Sequence, residues 1–363
     1  MNAPRLVIDL DKIEHHARTL AGLLNDKGIS VTGVTKALLG SPQVGGAMLR
    51  GGVSSLGDSR VENLEALPVA RKLLIRSPML SQAERVVTVA DVSCNSEAVV
   101  IDRLGAAAAA IGVTHGILIM VELGDLREGA MPREVDALVR RVLQHPALSL
   151  FGIGTNLACQ SGVAPDMHNM SELSNIVDRI EREFCVDIPN VSGGNSANLH
   201  WALTNRDLGR VNHLRLGEAI LLGTEPLYQH PIAGLYLDAV TLVAEIIELK
   251  CKPSRPWGEI TTTAFGDAPD RDHGGLVQQG LLAIGRQDVD PDGLICSPGL
   301  AILGASSDHL VVAAVDRCGR DVGALCVGSE IAFGLNYSAL LRAATSPFVA
   351  RSYLRGVPFV AHV

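Results

Sequence analysis

The chain has 363 residues, 47% hydrophobic and 19% charged, with a formal net charge of −8, enough apolar mass for one large domain and a smaller one. The acidic balance argues against a nucleic-acid partner, which is met by clustered Lys and Arg, and an aromatic content of 3% disfavours a stacking platform for single strands. No apolar run reaches the ~18 residues of a membrane span, "MNAPRLVIDL" lacks a signal-peptide pattern, and seven cysteines without a CxxC or Cys/His metal spacing predict a reduced, cytoplasmic protein with no metal site.

In chain order, "RLVIDL" is a short apolar run ahead of a helix over "DKIEHHARTLAGLLNDKG", with Asp11 read as its cap and Gly28 as its stop. Eight strands follow: "VTGVTK" (31–36), "VSSLGD" (53–58), "KLLIR" (72–76), "ADVSCN" (90–95), "GILIMVEL" (116–123), "SLFGIGTN" (149–156), "IPNVSGG" (188–194) and "HLRLGEAILLG" (213–223). Helical periodicity separates them, as in "REVDALVRRVLQHP" (Val135, Leu138, Val139, Val142) and "MSELSNIVDRIEREF" (Leu173, Ile176, Val177, Ile180, Phe184). Continuous apolar strands alternating with helices describe a parallel (β/α)8 TIM barrel over 11–229, with a doubly wound open sheet as the competing arrangement. After residue 230, "LDAVTLVAEIIELKCKPS", "LLAIGRQDV", "LAILGASSDHLVVAAVD" and "EIAFGLNYSALL" are β-like and divided by Gly, Pro and Asp. They predict a mostly antiparallel β domain over 230–363, into which residues 1–10 could pair.

Six lysines occur, and five have surface readings. Lys36 alone sits at the C-terminal end of a barrel strand, the rim where such barrels place their chemistry. An amine in an apolar setting has a lowered pKa and can form a Schiff base with a carbonyl; a rim lysine can equally extend its ammonium into solvent. On the same rim the seventh strand runs into "SGGNSANL", where Gly193 and Gly194 allow close approach and Asn195 and Ser196 are read as caps of the next helix, an anion-binding arrangement. The eighth strand adds Gly217 and Glu218 as backbone donors. Arg215 only donates hydrogen bonds, so a pyridine nitrogen facing it would stay unprotonated; a surface ion pair is its commoner role.

Together "VTKALLG", "GDSRVENL", "VELGDLREG", "GIGTNLAC", "VSGGNSANL", "LRLGEAILLG", "LLAIGRQDVD", "ILGASSDHL" and "LNYSALL" resemble the alanine racemase superfamily dependent on pyridoxal 5'-phosphate (PLP), within it the ornithine racemase-like branch of amino-acid racemases. The resemblance covers nearly the whole chain and implies a barrel followed by a β domain. It implies that Lys36 is the Schiff-base lysine and one-face acid/base, and that Ser196, Gly217, Glu218 and Tyr337 hold the phosphate, beside Asn195. Arg215 would meet the pyridine nitrogen, with Asn156 near the ring. Arg127 would lie near the substrate carboxylate, and Ser307 and Asp308, in the "SSDH" segment Ser306–His309, would reach the partner's site in a head-to-tail homodimer.

The chain departs from alanine racemases on the second face. "GEITTTAFGDAPD" (258–270) has Phe265 and no tyrosine, and Leu38, Leu39 and Gly40 follow the lysine in place of Tyr-Gly-His-Gly. Asp308, His309 and Cys159 are the replacement acid/base candidates, although Cys159 also reads as a small buried residue and His309 as a structural hydrogen-bonding group. The substrate is an amino acid: the resemblance to ornithine racemases points to a basic side chain, with no carboxylate assigned to bind it, and alanine, serine or several amino acids stay open. Rival readings are a D-amino-acid aldolase or dehydratase, a decarboxylase, and a non-catalytic PLP-binding protein.

Overall fold

Short apolar runs that are buried on both faces cannot lie at a sheet surface. Here they close on themselves. In the computed structural model, which describes residues 3–266, 275–314 and 325–356, the chain separates into two compact units, Leu10–Tyr236 and Met1–Asp9 with Leu237–Val363.

The first element is β1 (Arg5–Asp9), which leads into α1 (Leu10–Asn25). The barrel unit then alternates β2 (Ser30–Val34), α2 (Pro42–Arg50), β3 (Ser55–Asp58), α3 (Val61–Ala66), β4 (Lys72–Leu74), α4 (Ala83–Val89), β5 (Val92–Asn95), α5 (Ala98–Ile111), β6 (His115–Val121) and α6 (Val135–Leu143). It continues with β7 (Leu148–Thr155), α7 (Met167–Phe184), β8 (Asn190–Gly194), α8 (Asn198–Thr204), β9 (His213–Leu216) and α9 (Glu218–Leu222). The strands β2 to β9 pair in parallel and in sequence, and β2–β9 pairing (Ser30 with His213 through Gly33 with Leu216) closes the barrel. This excludes the open doubly wound sheet. All seven residues of β6 are buried, as a strand between a filled interior and a ring of helices must be. In α6 the buried residues Val135, Leu138, Val139 and Val142 form a single stripe, each worth ~1.5–3 kcal/mol of transfer free energy; a charge at Val139 would break it.

The second unit is a mostly antiparallel sheet. Its strands are β10 (Val240–Pro253), β11 (Leu276–Leu282), β12 (Leu294–Ile295), β13 (Leu300–Ala305), β14 (Leu310–Ala314) and β15 (Glu330–Leu335), with α10 (Tyr337–Thr345) and β16 (Ala350–Leu354) after them. The order is β12-β15-β10-β11-β14-β13, and β1 pairs antiparallel with β10 and parallel with β16. Among the described residues no helix is long and apolar enough to cross a membrane.

Several expected elements differ. Residues 218–222 are a helix, not the end of a strand: Ala219, Ile220, Leu221 and Leu222 are all buried, so no polar face marks the helical period. "EIAFGLNYSALL" likewise breaks at Asn336, whose Oδ1 accepts from Ala339 N at 2.9 Å and starts α10. Asp11 lies in the first turn of α1 rather than at its cap. The segment 267–270 of "GEITTTAFGDAPD" lies outside the described residues.

Candidate active site

Side chains two apart on a strand share a face, and on β9 this pairs His213 with Arg215. Both are buried, at 3% and 4% exposure. The guanidinium of Arg215 donates to Ser192 Oγ on β8, to Thr155 O at 2.8 Å and to Asn156 Oδ1 at 3.3 Å. Below it, His213 Nδ1 lies 2.9 Å from Ser192 Oγ and Nε2 lies 2.7 Å from Thr32 Oγ1, which contacts Ser55 Oγ at 2.6 Å. The barrel floor under the C-terminal rim is thus a continuous polar chain with a cation at its top.

Lys36 opens a single 3-10 turn just after β2. The chain then turns through left-handed Leu39 (φ 53°) and Gly40 (φ 65°); a Cβ at Gly40 would lie 2.6 Å from Asn63 Cβ and O. The turn is tied to β3: Thr35 Oγ1 donates to Asp58 Oδ2 at 2.8 Å, while Asp58 Oδ1 accepts from Asn63 Nδ2 at 2.9 Å and Arg60 N at 3.1 Å. Burial pushes the Asp58 carboxyl up, against these hydrogen bonds. The Lys36 amine has no hydrogen bond or ion pair with a described residue. Burial lowers its pKa, helped by Arg127 and opposed by Cys159, Asp58 and Glu128.

The stretch "VELGDLREG" supplies three carboxylates with separate tasks. Glu122 Oε1 accepts from Gly124 N (2.5 Å) and Leu126 N (3.1 Å), and Oε2 from Arg127 N (3.2 Å), closing its own loop. The wholly buried Asp125 holds the next rim loop: Oδ2 accepts from Cys159 N (3.1 Å) and Gln160 N (2.9 Å), and Oδ1 from Ser161 N (3.1 Å). Burial raises the Asp125 pKa, but its hydrogen bonds from the backbone of Gln160, Ser161 and Cys159, helped by the nearby backbone N–H of Val163, outweigh it and leave the carboxyl below its ordinary value. Glu128 grips Arg127 through Nε and one terminal nitrogen, the latter at 2.5 Å. The other terminal nitrogen of Arg127 has no hydrogen bond to a described residue.

Asn156 and Asn195 join the rim together. Asn195 Nδ2 donates to Asn156 Oδ1 (3.1 Å), Leu157 O (2.8 Å) and Cys159 Sγ (3.4 Å), and Asn156 Nδ2 donates to Cys159 Sγ (3.1 Å). Cys159 is therefore exposed at the mouth and not a buried filler, because Asp125 holds its loop from below. The capping read at "GGNS" also differs. Asn195 Oδ1 accepts from Ala197 N at 2.8 Å, inside its own turn, and Ser196 Oγ accepts from Ala219 N at 3.2 Å, at the start of α9. Ser196 thus links the seventh and eighth barrel strands. Gly194 has φ 143°, and a Cβ there would meet Asn198 Oδ1 at 2.2 Å, so only glycine fits.

The structure gathers Lys36, Arg127, Asn156, Cys159, Asn195, Ser196, Arg215, Gly217 and Glu218 at the C-terminal end of one barrel. Ser307, Asp308, His309 and Tyr337 belong to the other unit. There Asp308 Oδ1 accepts from Ser307 Oγ at 3.0 Å and lies 3.1 Å from His309 Nδ1, on the exposed turn joining β13 and β14. The Ser307 hydroxyl above all, with the His309 ring, holds the Asp308 carboxyl low against the opposing effect of desolvation. Sequence reasoning missed Ser192, His213, Glu122, Asp125 and Glu128. Polar pairs at i and i+2 in otherwise apolar strands were the available signal for the first two. Among the described residues no group of three or more His, Cys, Asp or Glu side chains could hold a metal ion.

Residues 8–226 match the family described as "Alanine racemase, N-terminal domain". Over 97% of its length the chain is 36% identical to an ornithine racemase from Acetoanaerobium sticklandii, of which it covers 99%. It is 34% identical to a lysine racemase from Thermotoga maritima, over 96% of this chain and 98% of that one. Among solved structures, an alanine racemase from Streptomyces lavendulae superposes with a TM-score of 0.74 at 20% identity, over 98% of this chain and 99% of the other.

Proposed function

The chain belongs to the alanine racemase family, and we propose that it is a PLP-dependent amino-acid racemase, an isomerase acting on a basic amino acid such as ornithine or lysine. The observation that carries this reading is Lys36, an amine without a hydrogen-bonding partner among the described residues, lowered in pKa by burial, on the same rim as a buried arginine. The two curated relatives named above, an ornithine and a lysine racemase, support the substrate class.

The donor set fits PLP. Lys36 would bind its carbonyl carbon, and Arg215, a permanent donor, would face the ring nitrogen and keep it unprotonated. Ser196, with the backbone N–H groups of Gly217 and Glu218, would hold the phosphate beside Asn195, and Asn156 would flank the ring. When bound, PLP supplies an electron sink that acidifies the Cα–H of an amino acid. Lys36 Nζ, easily deprotonated in its setting, would take the Cα proton on one face while an acid on the opposite face delivers its replacement, and in the reverse direction the Lys36 ammonium would be the donor. Arg127, fixed in its fork by Glu128, offers its free terminal nitrogen to the substrate carboxylate. For the opposite face the reading names Cys159, whose sulfur accepts from two amides, and Asp308 with His309 from the second protomer of a head-to-tail homodimer. The roles of Tyr337 at the phosphate and Ser307 at the substrate rest on the sequence resemblance.

Borohydride reduction of the PLP-loaded protein, followed by peptide mass mapping, tests the reading: a reduced adduct is expected on Lys36 and none in Lys36→Ala. An unlabelled protein, or a label on another lysine, overturns it. Mixing inactive Lys36→Ala and His309→Ala proteins separates the second-face candidates, because recovery of activity requires a site shared between protomers. No recovery in confirmed mixed dimers leaves Cys159.

A further inference from the structure

The polar chain on the barrel floor has a direction, set by its cation. Arginine cannot accept a hydrogen bond, so at the Arg215–Ser192 contact the serine oxygen is the acceptor. The serine proton then has one acceptor among the described residues, His213 Nδ1 at 2.9 Å. That nitrogen must be bare, and the imidazole proton must sit on Nε2, donating to Thr32 Oγ1 at 2.7 Å; Thr32 in turn donates to Ser55 Oγ at 2.6 Å. A single tautomer accounts for the protons of Ser192, His213 and Thr32.

We propose that His213 is a positioning residue for the cofactor-facing arginine: its bare Nδ1 holds the Ser192 hydroxyl, and that hydroxyl locks the guanidinium of Arg215. Protonating the imidazole would aim a second N–H at an oxygen that already accepts from Arg215, and would leave the serine proton with no acceptor. Burial, and then the charge of Arg215, push His213 down to about 3, so the neutral form holds across the working pH range. Arg215 then keeps one orientation whatever the bulk pH. Neither residue touches the reacting atoms. The link from Arg215 to PLP rests on the proposed function, whereas the tautomer and the lock are properties of the protein alone.

The test therefore has an arm without cofactor. In the cofactor-free protein, 15N NMR of the histidine rings should show His213 as the neutral Nε2–H tautomer at every pH between about 5 and 8. The terminal N–H signals of Arg215 should be resolved, as for a guanidinium that does not rotate. His213→Asn retains an acceptor in place of Nδ1 and should preserve those arginine signals, whereas the similarly sized His213→Leu should average them. In the PLP arm, His213→Leu should bind PLP about tenfold more weakly, the scale of one charge-assisted hydrogen bond, with His213→Asn within about threefold of the parent. An Nδ1–H or charged His213 in that pH range overturns the proposal. So does a folded His213→Leu protein, verified by circular dichroism, whose arginine signals stay resolved, or an Asn variant no better than Leu. If the parent protein binds no PLP, the functional reading fails and the cofactor-free arm still decides this one.

Discussion

Replacing Asp125 with asparagine removes a charge and one acceptor oxygen while keeping the shape. The carboxylate accepts three backbone N–H groups of the loop that carries Cys159, two on Oδ2 and one on Oδ1. Asparagine can place its oxygen under the Cys159 and Gln160 donors, but its NH2 then faces Ser161 N–H, and that bond is lost. A hydrogen bond to a charged group contributes ~1.5–3 kcal/mol, and the two retained bonds weaken to neutral ones. Local opening of the loop should therefore become easier by about 2 kcal/mol or more, which is a rise of about thirtyfold in amide exchange at residues 159–161. Hydrogen exchange read by mass spectrometry on a peptide spanning 157–163 measures it, with a peptide from α6 as internal reference. The lowered folded-state pKa of Asp125 fixes the pH dependence. Its stabilisation is complete above the ordinary carboxylate range and disappears as pH falls through the lowered value, so the two proteins should converge in acid. Equal protection of 159–161 in both proteins at neutral pH would refute the assignment of Asp125 as the anchor of this loop.

Lys36→Met should raise the melting temperature of the cofactor-free protein at neutral pH, because the depressed lysine pKa means that folding disfavours its charge. The unfolded state binds the extra proton between the folded and ordinary lysine values, so the gap should narrow as pH rises towards the latter; a gap that is absent or of opposite sign contradicts this. Gly194→Ala forces a Cβ to 2.2 Å from Asn198 Oδ1 at φ 143° and should cost about 2 kcal/mol or more, read by urea denaturation; a loss below about 0.5 kcal/mol would show that the turn can yield. Glu128→Gln loosens the fork on Arg127 and should raise KM for the amino acid by about tenfold with a smaller effect on kcat, whereas an equal loss confined to kcat would remove Arg127 from ground-state binding.

The barrel was legible because its strands are buried on both faces and its helices on one, so two distinct periods alternate along the chain. The lysine was legible because it is the only one at the C-terminal end of a barrel strand. Residues 218–222 were misread because a helix buried all round has no polar face to show its period. The roles of Glu122, Asp125 and Glu128 were not legible, since spacing alone does not say which backbone N–H groups a loop turns towards a carboxylate. Asp125 reaches across 34 to 36 residues to its three donors, and only the closed barrel brings them together. His213 and Arg215 stood two apart in plain view. What hid their connection was Ser192, contributed by the neighbouring strand.

The central claim is tested most directly by incubating the PLP-loaded protein with L-ornithine, and separately with L-lysine, in deuterium oxide and resolving the products on a chiral column with mass detection. The account predicts that the D enantiomer accumulates at the expense of the L until the two are equal, that the newly formed enantiomer carries deuterium at Cα, and that Lys36→Ala yields neither change. An amine that has lost its carboxylate, a cleaved or deaminated product, or L-ornithine and L-lysine both recovered unchanged would contradict it.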